Sequence, residues 1–495
     1  MTGTWDVIVC GAGSAGMPCA TFAAKRGAKV LVLEQSDRIG GTLYVSGGQM
    51  AAAGTKAQKE KGIEDSPDRH YQEVMRISKG GARADLVRVA VDGAPQTFQW
   101  LLDSGFELTQ GHPVVSYGHE PYEVPRTHWG VENGVSVLKA MKPAFDAEVA
   151  RGNITLRFGT EVQGLIRTPQ GGIGGVIVRS GDGKREEITG ANIVLATGGY
   201  AANKQLFPLL SGGYPLFGGL ANPQSQGTGI TLALMAGAEL WGSDCYMPTF
   251  AGITDPREPT RQVTGTVTTP QFRQPWEIFV GVDGRRFIAE DTASVDAREH
   301  ALLAQPDLTF WAVYDEGIRK AAPSFFVDLN FHALDDSGSG KVEGENTGIM
   351  AAFDRIPGFH SAPTLAAVAR KAGIDAAGLE KTVADYNKAV ASSSDTMGRK
   401  HMPKPIAQGP FYAVRHHGVA VVSFAGLAVN AKLQVMRPGG QPIAGLYAAG
   451  EVLGKSLLSG KSFVGGMSLL PTITFGRLLG SQILQWEGAK RAAAE

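Results

Sequence analysis

The sequence contains few cysteines and no excess of either charge, and both features exclude broad classes of protein. Its 495 residues include only three cysteines, Cys10, Cys19 and Cys245. Three are too few for a disulfide framework or a cysteine-rich metal site. The 47 basic and 47 acidic residues cancel, so charge does not indicate a nucleic acid or an anionic membrane as partner. We therefore predict no bound metal and no nucleic-acid partner.

Long hydrophobic runs are also absent. No apolar run approaches the length of a membrane-spanning helix, so we predict no membrane span. The first predicted strand begins by Asp6, which leaves no room for a signal peptide. These features predict a cytoplasmic protein. A hydrophobic fraction of 43% with 19% charged residues is typical of a globular chain, and 495 residues favour two or more substructures.

Glycine, by contrast, is abundant, with 66 residues. A short apolar run over residues 6–10 reads as a buried strand and leads into Gly11, Gly13 and Gly16, which have the spacing G-x-G-x-x-G. In that pattern the first glycine makes a tight turn and the second lets the backbone approach a pyrophosphate. The third lets helix and strand pack closely. The pattern predicts a dinucleotide site at the end of the first strand.

The residues that follow complete this site. A helix predicted over residues 14–26 directs its N-terminal amides, beginning at Ser14 and Ala15, at the phosphates. A second strand over residues 29–33 ends at Glu34, where a ribose hydroxyl is held. The ligand therefore contains an ADP half, and these residues alone fit either FAD or NAD.

Further glycine-rich turns follow other predicted strands. A loop with Gly40-Gly41 and Gly47-Gly48 is typical of a segment that wraps the far end of a dinucleotide, although a surface loop can have the same composition. A strand over 186–195 ends in Ala196-Thr197-Gly198-Gly199. A later strand ends in Gly450-Glu451, and Gly465-Gly466 precedes a long helix predicted over 468–486.

The amino-acid composition changes near Trp241. From there to about residue 420 the chain is rich in proline and includes a polar stretch, Asp335 to Asn346. This predicts a second domain inserted into the first. The expected domains are residues 1–241 and 421–495, which together form the nucleotide-binding domain, and residues 242–420.

Four segments resemble one flavoprotein family in order and spacing. They are GAGSAG with Glu34, GGTLYVSGGQM, VLATGG at 194–199, and GLYAAGEV with the downstream glycine pair and TFGRLLG. The chain is similar to the fumarate reductases, succinate dehydrogenases and 3-ketosteroid Δ1-dehydrogenases. The resemblance implies FAD rather than NAD. It also implies an α/β fold in which a Rossmann-like FAD-binding domain, in two sequence pieces, carries an inserted α+β capping domain for the substrate.

The resemblance, with the glycine pattern, assigns a set of residues to the cofactor. They are Gly11, Gly13, Ser14, Ala15, Gly16, Glu34, Gln35, Gly41, Thr42, Ser46, Gly47, Gly48, Val162, Thr197, Gly198, Gly450, Glu451, Ser468 and Leu469. Relatives that bind flavin covalently have a histidine where Gly41 stands. Non-covalent FAD is therefore expected.

The substrate pocket departs from the fumarate enzymes. Relatives that reduce fumarate hold its two carboxylates with histidines and arginines. The matching positions here are Met247, Ser294, Val421 and Phe463, which are small or apolar. A dicarboxylate would leave buried charge uncompensated among them. Fumarate and succinate are therefore disfavoured as substrates.

An apolar pocket beside a flavin favours dehydrogenation next to a ketone. We predict an FAD-dependent desaturase of a cyclic ketone or alicyclic keto acid. A base removes the α-proton, and hydride passes from the β carbon to the flavin. Two alternatives stay open: a reductase of an activated double bond that does not bind dicarboxylates, and a subunit that only relays electrons. The electron acceptor (oxygen, quinone or redox protein) is not identified.

The catalytic candidates come from the same comparison. Tyr246, beside Met247, is the first candidate for the base, and His119, in an aromatic loop over 111–129, is the second. A packed tyrosine and a surface histidine are the structural alternatives. Ser294 stands at the family's acid–base position, and the amides at Gly466 and Met467 can hold an oxyanion. Arg273 can pair a single substrate carboxylate or form a salt bridge. His416-His417 resembles a metal pair but lacks a third ligand.

Overall fold

The computed structural model describes residues 5–218, 221–255, 258–266, 268–323, 326–327 and 357–492. The polar segment 335–346 lies outside these ranges. The strands are β1 Trp5–Cys10, β2 Val30–Leu33, β3 Met50–Ala51, β4 Thr127–His128, β5 Ile154–Arg157, β6 Thr160–Arg167, β7 Ile173–Ser180, β8 Arg185–Leu195, β9 Leu240–Trp241, β10 Thr249–Asp255, β11 Glu258–Thr266, β12 Ile278–Val280, β13 Thr309–Asp315, β14 Phe326–Val327, β15 Phe359–Ala362, β16 Phe411–Val419, β17 Gly426–Leu427, β18 Gln434–Met436 and β19 Pro442–Ala448.

The helices belong to both halves of the molecule. They are α1 Gly16–Lys25, α2 Lys56–Glu60, α3 Pro67–Ile77, α4 Ala84–Asp103, α5 Gly134–Ala150, α6 Leu206–Leu210, α7 Thr228–Met235, α8 Val295–Leu303, α9 Glu316–Ala321, α10 Leu365–Ala372, α11 Ala376–Ser392, α12 Ser456–Ser459 and α13 Leu469–Ala492. Short 3₁₀ turns occur at Gly41–Tyr44, Pro306–Leu308 and Glu451–Leu453.

The larger sheet is parallel at its centre. Strands β19, β8, β1, β2 and β5 lie side by side in that order, all parallel, and β18 and β7 add antiparallel edges. All four residues of β2 are buried, as are the last four of β1, which fits strands covered on both faces. Strands β2 and β8 lie on opposite sides of β1. The carboxyl ends of these three strands therefore border the crevice in which ligands bind in such sheets.

The C-terminal part of the chain joins this sheet through one strand and one helix. Strand β19 pairs with β8, and helix α13 packs along α1. Gly476 and Gly480 permit the close approach, because a Cβ at either position would lie 2.2 Å from the carbonyl oxygen of Ala15 or Cys19. Residues more than 400 positions apart thus share one core.

The second sheet is antiparallel in every described pairing. Its order is β12-β13-β16-β10-β11-β14, with β15 also on β16. It has its own hydrophobic core, centred on Phe279, Phe310 and Val414, and helices α8 to α11 lie in the same part of the chain. Its described strands run from residue 249 to residue 419. The domain boundaries near 241 and 420 stay a prediction.

The run over residues 155–165 predicts one strand from its sequence, but the structure divides it between β5 and β6. Gly159 lies between them with φ +56°, a conformation that glycine adopts without steric cost. Strand β5 therefore stays beside β2, while β6 pairs with β7.

Candidate active site

Three glycines shape the end of β1 as the fingerprint requires. Gly11 has φ +107°, and a Cβ there would lie 2.4 Å from the carbonyl oxygen of Ala196 at the end of β8. A Cβ on Gly16 would lie 1.8 Å from the carbonyl oxygen of Gly11, so only glycine lets α1 start against the strand. A Cβ on Gly13 would meet no protein atom within 4 Å. The turn has no space for a side chain at Gly11 and Gly16, where it packs against the protein. It is open to the cavity at Gly13, where a phosphate is expected.

Glu34 is fixed at the end of β2. Its Oε2 accepts a hydrogen bond from Ala12 N at 2.8 Å. Its Oε1 accepts bonds from Ser36 N at 2.9 Å and from Ser36 Oγ at 2.8 Å. A carboxylate has further acceptor sites, so Glu34 can still take a ligand hydroxyl. The fixed side chain lines the large cavity described next.

The cavity extends from the ends of β1 and β2 to the start of α13. Its walls combine small residues with a few polar groups, which are Cys10, Gly11, Gly13, Ser14, Ala15, Leu33, Glu34, Gln35, Gly41, Thr42, Leu43, Ser46, Thr160, Glu161, Val162, Ala196, Thr197, Gly198, Asn222, Gln224, Ser225, Thr228, Val422, Gly450, Glu451, Leu453, Gly454, Lys455, Leu457, Leu458, Met467, Ser468, Leu469, Pro471, Thr472 and Phe475. Of the residues assigned to the cofactor, all line the cavity except Gly16, Gly47 and Gly48. Gly16 lies beneath the turn, and Gly48 packs against Asn133.

Two polar groups in the cavity wall are suited to ligand hydroxyls. Glu451 is held by Ser423, whose N and Oγ both donate to Oε1 at 2.9 Å. Burial raises the pKa of this carboxyl. Thr197 Oγ1 is buried and makes no hydrogen bond within the described part of the chain. Buried hydroxyls are normally bonded, so Thr197 offers a donor to whatever occupies the cavity.

The aromatic loop over 111–129 is tied to the start of α13. Strands β3 and β4 pair, which joins this loop to the glycine-rich loop before Met50. Tyr122 Oη donates to the carbonyl oxygen of Gly465 at 2.7 Å, and Glu120 forms a parallel bridge with Val464. Glu120 Oε2 also accepts from Ser294 Oγ at 2.9 Å. The loop therefore connects α8, on the second sheet, with the end of the cavity.

His119, in this loop, is held between an aromatic ring and a carboxyl group. Its imidazole stacks on Phe463 with ring centroids 3.4 Å apart, and its Nδ1 lies 2.9 Å from Glu299 Oε1. Burial, followed by Lys455, lowers the pKa of His119, whereas burial, followed by Asp296, raises that of Glu299. Both shifts favour a neutral pair over an ion pair. The Nε2 atom makes no hydrogen bond to the residues that the structure describes.

Lys455 lies on the other face of Phe463. Its Nζ is 4.2 Å from the ring centroid, and the imidazole already covers one face. The ammonium donates to Val464 O at 2.9 Å and to Ser468 Oγ at 3.0 Å. Burial lowers the pKa of Lys455 to about 7.

Arg298 precedes Glu299 on α8 and is fully buried. Its Nη2 donates to Thr268 O, and its guanidinium lies 4.5 Å from the ring centroid of Phe250. The Nε and Nη1 atoms have no hydrogen-bond partner in the described ranges. Burial lowers its pKa to about 10, so the group is still a cation near neutral pH.

Tyr246, the first candidate for the base, lies away from the cavity lining. It is buried among aromatic rings, with centroids 5.3 Å from Phe207, 5.6 Å from Tyr214 and 5.9 Å from Phe424. Burial raises the pKa of its hydroxyl, which is opposite to the shift that a base requires. The structure therefore places Tyr246 in the core, and this argues against a role as base.

Three other candidates are engaged in structural contacts. Ser294 is the N-cap of α8, and its Oγ accepts from Ala297 N at 3.1 Å. Arg273 forms a bidentate pair with Glu277 at 2.8 and 2.9 Å, so it is not placed to pair a substrate carboxylate. Gly466 has φ +70° and packs against Ala51, while its neighbour Met467 lines the cavity. Ser294 and Arg273 thus make contacts that stabilise the fold, and their catalytic roles stay predictions.

His128, His416 and His417 are also buried in structural contacts. His128 packs on Phe98 with centroids 4.3 Å apart. His417 Nδ1 lies 2.7 Å from Thr309 Oγ1, and His416 is its neighbour on β16. Among the residues that the structure describes, no group of three or more histidine, cysteine or acidic side chains could hold a metal ion.

The chain matches the family model described as FAD binding domain over residues 6–469. It is 30% identical over 497 residues to fumarate reductase (cytochrome) of Shewanella frigidimarina, covering 98% of this chain and 77% of that one. It is 27% identical to vinyl phenol reductase of Lactiplantibacillus plantarum, covering 90% of each. It is 25% identical to 4-oxocyclohexanecarboxylate 2-dehydrogenase of Sinomonas cyclohexanicum, covering 97% of this chain and 93% of that one.

Solved structures agree with these matches. The open conformation of a flavocytochrome c3 fumarate reductase superposes with a TM-score of 0.71 at 27% identity, covering 97% of this chain and 78% of that one. The 3-ketosteroid Δ1-dehydrogenase of Sterolibacterium denitrificans gives a TM-score of 0.73 at 20% identity, covering 98% and 100%. The second match shows a common fold. Together they confirm the predicted α/β flavoprotein architecture.

The chain therefore belongs to this family of FAD-binding oxidoreductases, and its cofactor is FAD. The residues present fit the cofactor. The open backbone at Gly13 accepts phosphate, Glu34 accepts a ribose hydroxyl, and the buried hydroxyl of Thr197 supplies a donor. No described helix is both long and apolar enough to cross a bilayer.

Sequence reasoning missed several residues at this site. Asn222, Gln224 and Ser225 line the cavity but follow no recognisable motif. Lys455 lies four residues after Glu451, in a segment whose recognisable motif consists of the neighbouring glycines. Glu299 lies on a helix whose sequence, VDAREHALL, resembles a solvated surface, and no signal in it indicates burial. The structure alone brings these side chains to the site.

Proposed function

We propose that this protein is an FAD-dependent reductase of a carbon–carbon double bond that is activated by a single carbonyl or carboxylate group. The observation that carries the proposal is the pair formed by His119 and Glu299 beside Phe463. When bound, FAD supplies or accepts a hydride at the β carbon of the substrate. The chain must then deliver a proton to the α carbon.

The pair is arranged to donate that proton. In its neutral form the Glu299 carboxyl donates to His119 Nδ1, so the imidazole carries its own proton on Nε2. When Nε2 protonates the α carbon, the Glu299 proton passes to Nδ1. A carboxylate and a neutral imidazole then remain, and water restores the lost proton. Burial of Glu299 raises its pKa and keeps the pair in the form that donates.

The activating group of the substrate also needs a partner. Arg298 is next to Glu299 on α8, and two of its guanidinium nitrogens have no bond in the described part of the chain. A buried cation is costly unless an anion or an acceptor faces it. We assign Arg298 to the carbonyl or carboxylate oxygen of the substrate. A second carboxylate would meet Met247 and Phe463, which are buried and apolar.

Several relatives support the direction of the reaction. The fumarate reductase and the vinyl phenol reductase to which the chain is similar are both named for reduction. The apolar residues at the fumarate-binding positions support a different substrate from that of the first. A substrate with one activating group is consistent with both observations.

Desaturation of a cyclic ketone or alicyclic keto acid is the second candidate. It is favoured by the similarity to 4-oxocyclohexanecarboxylate 2-dehydrogenase and by the apolar side chains of Met247 and Phe463. The same residues would serve in reverse, since His119 Nε2 would accept the α-proton while Glu299 is ionised. The two candidates differ in the proton content of the resting pair.

Anaerobic flavin spectroscopy distinguishes the two. The enzyme is reduced with dithionite and mixed with 2-cyclohexenone, cinnamate or fumarate, and the oxidised enzyme is mixed with cyclohexanone or 4-oxocyclohexanecarboxylate. We expect reoxidation by an acceptor with one activating group and little by fumarate. Bleaching by the saturated ketones, without reoxidation by the alkenes, would establish the desaturase. Rapid reoxidation by fumarate would contradict the pocket assignment in both candidates.

A further inference from the structure

Lys455 is the only cation among the described residues that line the cofactor cavity, whose other charged residues are Glu34, Glu161 and Glu451. It lies at the far end from Glu34, near the start of α13. A positive charge in the wall of a flavin site is not needed to bind the ADP half. Its position therefore indicates a role toward the flavin ring.

The surroundings of Lys455 hold its amine in place without a paired counter-ion among the described residues. Val464 O and Ser468 Oγ accept from Nζ at 2.9 and 3.0 Å, and the ring of Phe463 covers one side. Within the described ranges no carboxylate lies within salt-bridge distance of Nζ. Glu299, on α8, partly opposes the effect of burial on the pKa of Lys455. The start of α13 adds the positive end of a helix dipole at the same place.

An uncompensated ammonium is expensive to bury. A purely structural lysine would have a carboxylate partner or would extend its amine to solvent, and Lys455 does neither. The cost is offset if the cavity holds a group that becomes negative during the reaction. Reduced flavin is such a group, because uptake of a hydride leaves a negative charge on the ring system.

We propose that Lys455 supplies the positive charge that stabilises the reduced, anionic flavin and so raises the reduction potential of the cofactor. Lys455 acts on the cofactor rather than on the substrate. The proposal therefore depends on FAD as the ligand but is independent of the direction and substrate proposed above.

Sulfite affinity and the flavin midpoint potential test this role without any substrate. Sulfite adds to oxidised flavin and leaves a negative charge on the ring, which bleaches the visible absorbance. Lys455→Gln keeps polar contacts to Val464 O and Ser468 Oγ but removes the charge, and Lys455→Arg keeps the charge. Lys461→Gln is the matched control, since Lys461 is exposed and pairs with Asp244.

We expect Lys455→Gln to bind sulfite at least tenfold more weakly than the wild type. A tenfold effect on the two-electron reduction equilibrium lowers the midpoint potential by about 30 mV. Lys455→Arg should restore both values to within threefold of the wild type, and Lys461→Gln should leave them unchanged. Lys455→Met serves as a second neutral variant if the glutamine protein does not retain FAD. A neutral variant that holds FAD with wild-type sulfite affinity and potential would overturn the proposal.

Discussion

At the scale of single residues, the proposed proton transfer depends on two side chains that are 180 positions apart in sequence, His119 and Glu299. Neither is strong evidence of function alone. A histidine in an aromatic loop and a glutamate on a charged helix are both common at protein surfaces. In the proposed reaction, their contact and the burial that raises the pKa of Glu299 together provide the proton donor. Catalytic pairs of this kind are identified by geometry rather than by sequence order.

Glu299→Gln should therefore reduce turnover while leaving the cofactor bound. The amide fills the same volume but cannot transfer a proton to Nδ1, so His119 cannot be resupplied. We expect kcat for an unsaturated acceptor to fall roughly 10²–10⁴-fold. Rates of flavin reoxidation and FAD content measure the two effects separately.

The pH profile provides an independent check on this pair. The reducing form requires the proton on Glu299, so wild-type reduction should decline as the pH rises through the raised pKa of that carboxyl. Glu299→Gln should lose this decline. His300→Asn, which alters a half-exposed histidine on the same helix, is the control and should keep both rate and profile. An unchanged rate in Glu299→Gln would contradict the assignment.

Gly41 concerns the attachment of the cofactor. Its backbone has φ +51°, and a Cβ there would lie 3.6 Å from Gly13 Cα. Glycine has no side chain that could bond to the flavin, and this is the basis of the prediction of non-covalent FAD. Precipitation of the holoenzyme with trichloroacetic acid should leave the flavin in a yellow supernatant. Flavin retained in the washed pellet would show a covalent bond.

At the scale of elements, the start of α8 is formed by Ser294, the residue that the resemblance places at the acid–base position. Ser294 accepts a hydrogen bond from Ala297 N and donates one to Glu120. These bonds start the helix and tie it to the aromatic loop. Because Arg298 and Glu299 are on the same helix, its first turn determines where both side chains lie.

Ser294→Ala should weaken stability more than it weakens the chemistry. Loss of an N-cap costs about 1 kcal/mol. We expect a matching decrease in the free energy of unfolding from urea titrations, with kcat within about fivefold of the wild type because no proton is transferred by this hydroxyl. Ser294→Thr keeps both the capping oxygen and the hydroxyl donor to Glu120 and should retain the stability. A loss in kcat of a hundredfold or more in Ser294→Ala would instead support an acid–base role.

At the scale of the whole molecule, the two halves differ in how far the sequence predicts them. The glycine fingerprint and its strands have strong local signals, because a close turn permits few residue types. The strand–turn–helix at residues 5–25 and the dinucleotide site follow from those signals, whereas the choice of FAD comes from the resemblance to the flavoprotein family. The substrate side is assembled from a loop, a helix of the inserted region and the segment before α13. Contacts between such distant segments have no local signature, which is why the sequence favours Tyr246 as the base and gives no indication of Glu299.

Buried histidines give the whole molecule a predictable sensitivity to acid. Burial lowers the pKa of His128 to about 3, of His416 to about 4 and of His417 to about 3. In the unfolded chain each returns to about 6.5. Below pH 6.5 the unfolded state therefore binds more protons than the folded state, and the free energy of unfolding falls as the pH falls.

The contribution of one histidine to the slope of that decline can be measured. Each buried neutral histidine contributes up to about 1.4 kcal/mol per pH unit between its two pKa values. His417→Asn keeps a hydrogen bond to Thr309 but removes the titrating ring. Between pH 6.0 and 5.0 its free energy of unfolding should therefore decline more slowly than that of the wild type, by about 1 kcal/mol per pH unit. His300→Asn, at a partly exposed position, is the control for removing a histidine. Urea titrations at pH 7.5, 6.0 and 5.0 measure the slopes, and identical slopes in His417→Asn and the wild type would show that His417 is not held neutral by the fold.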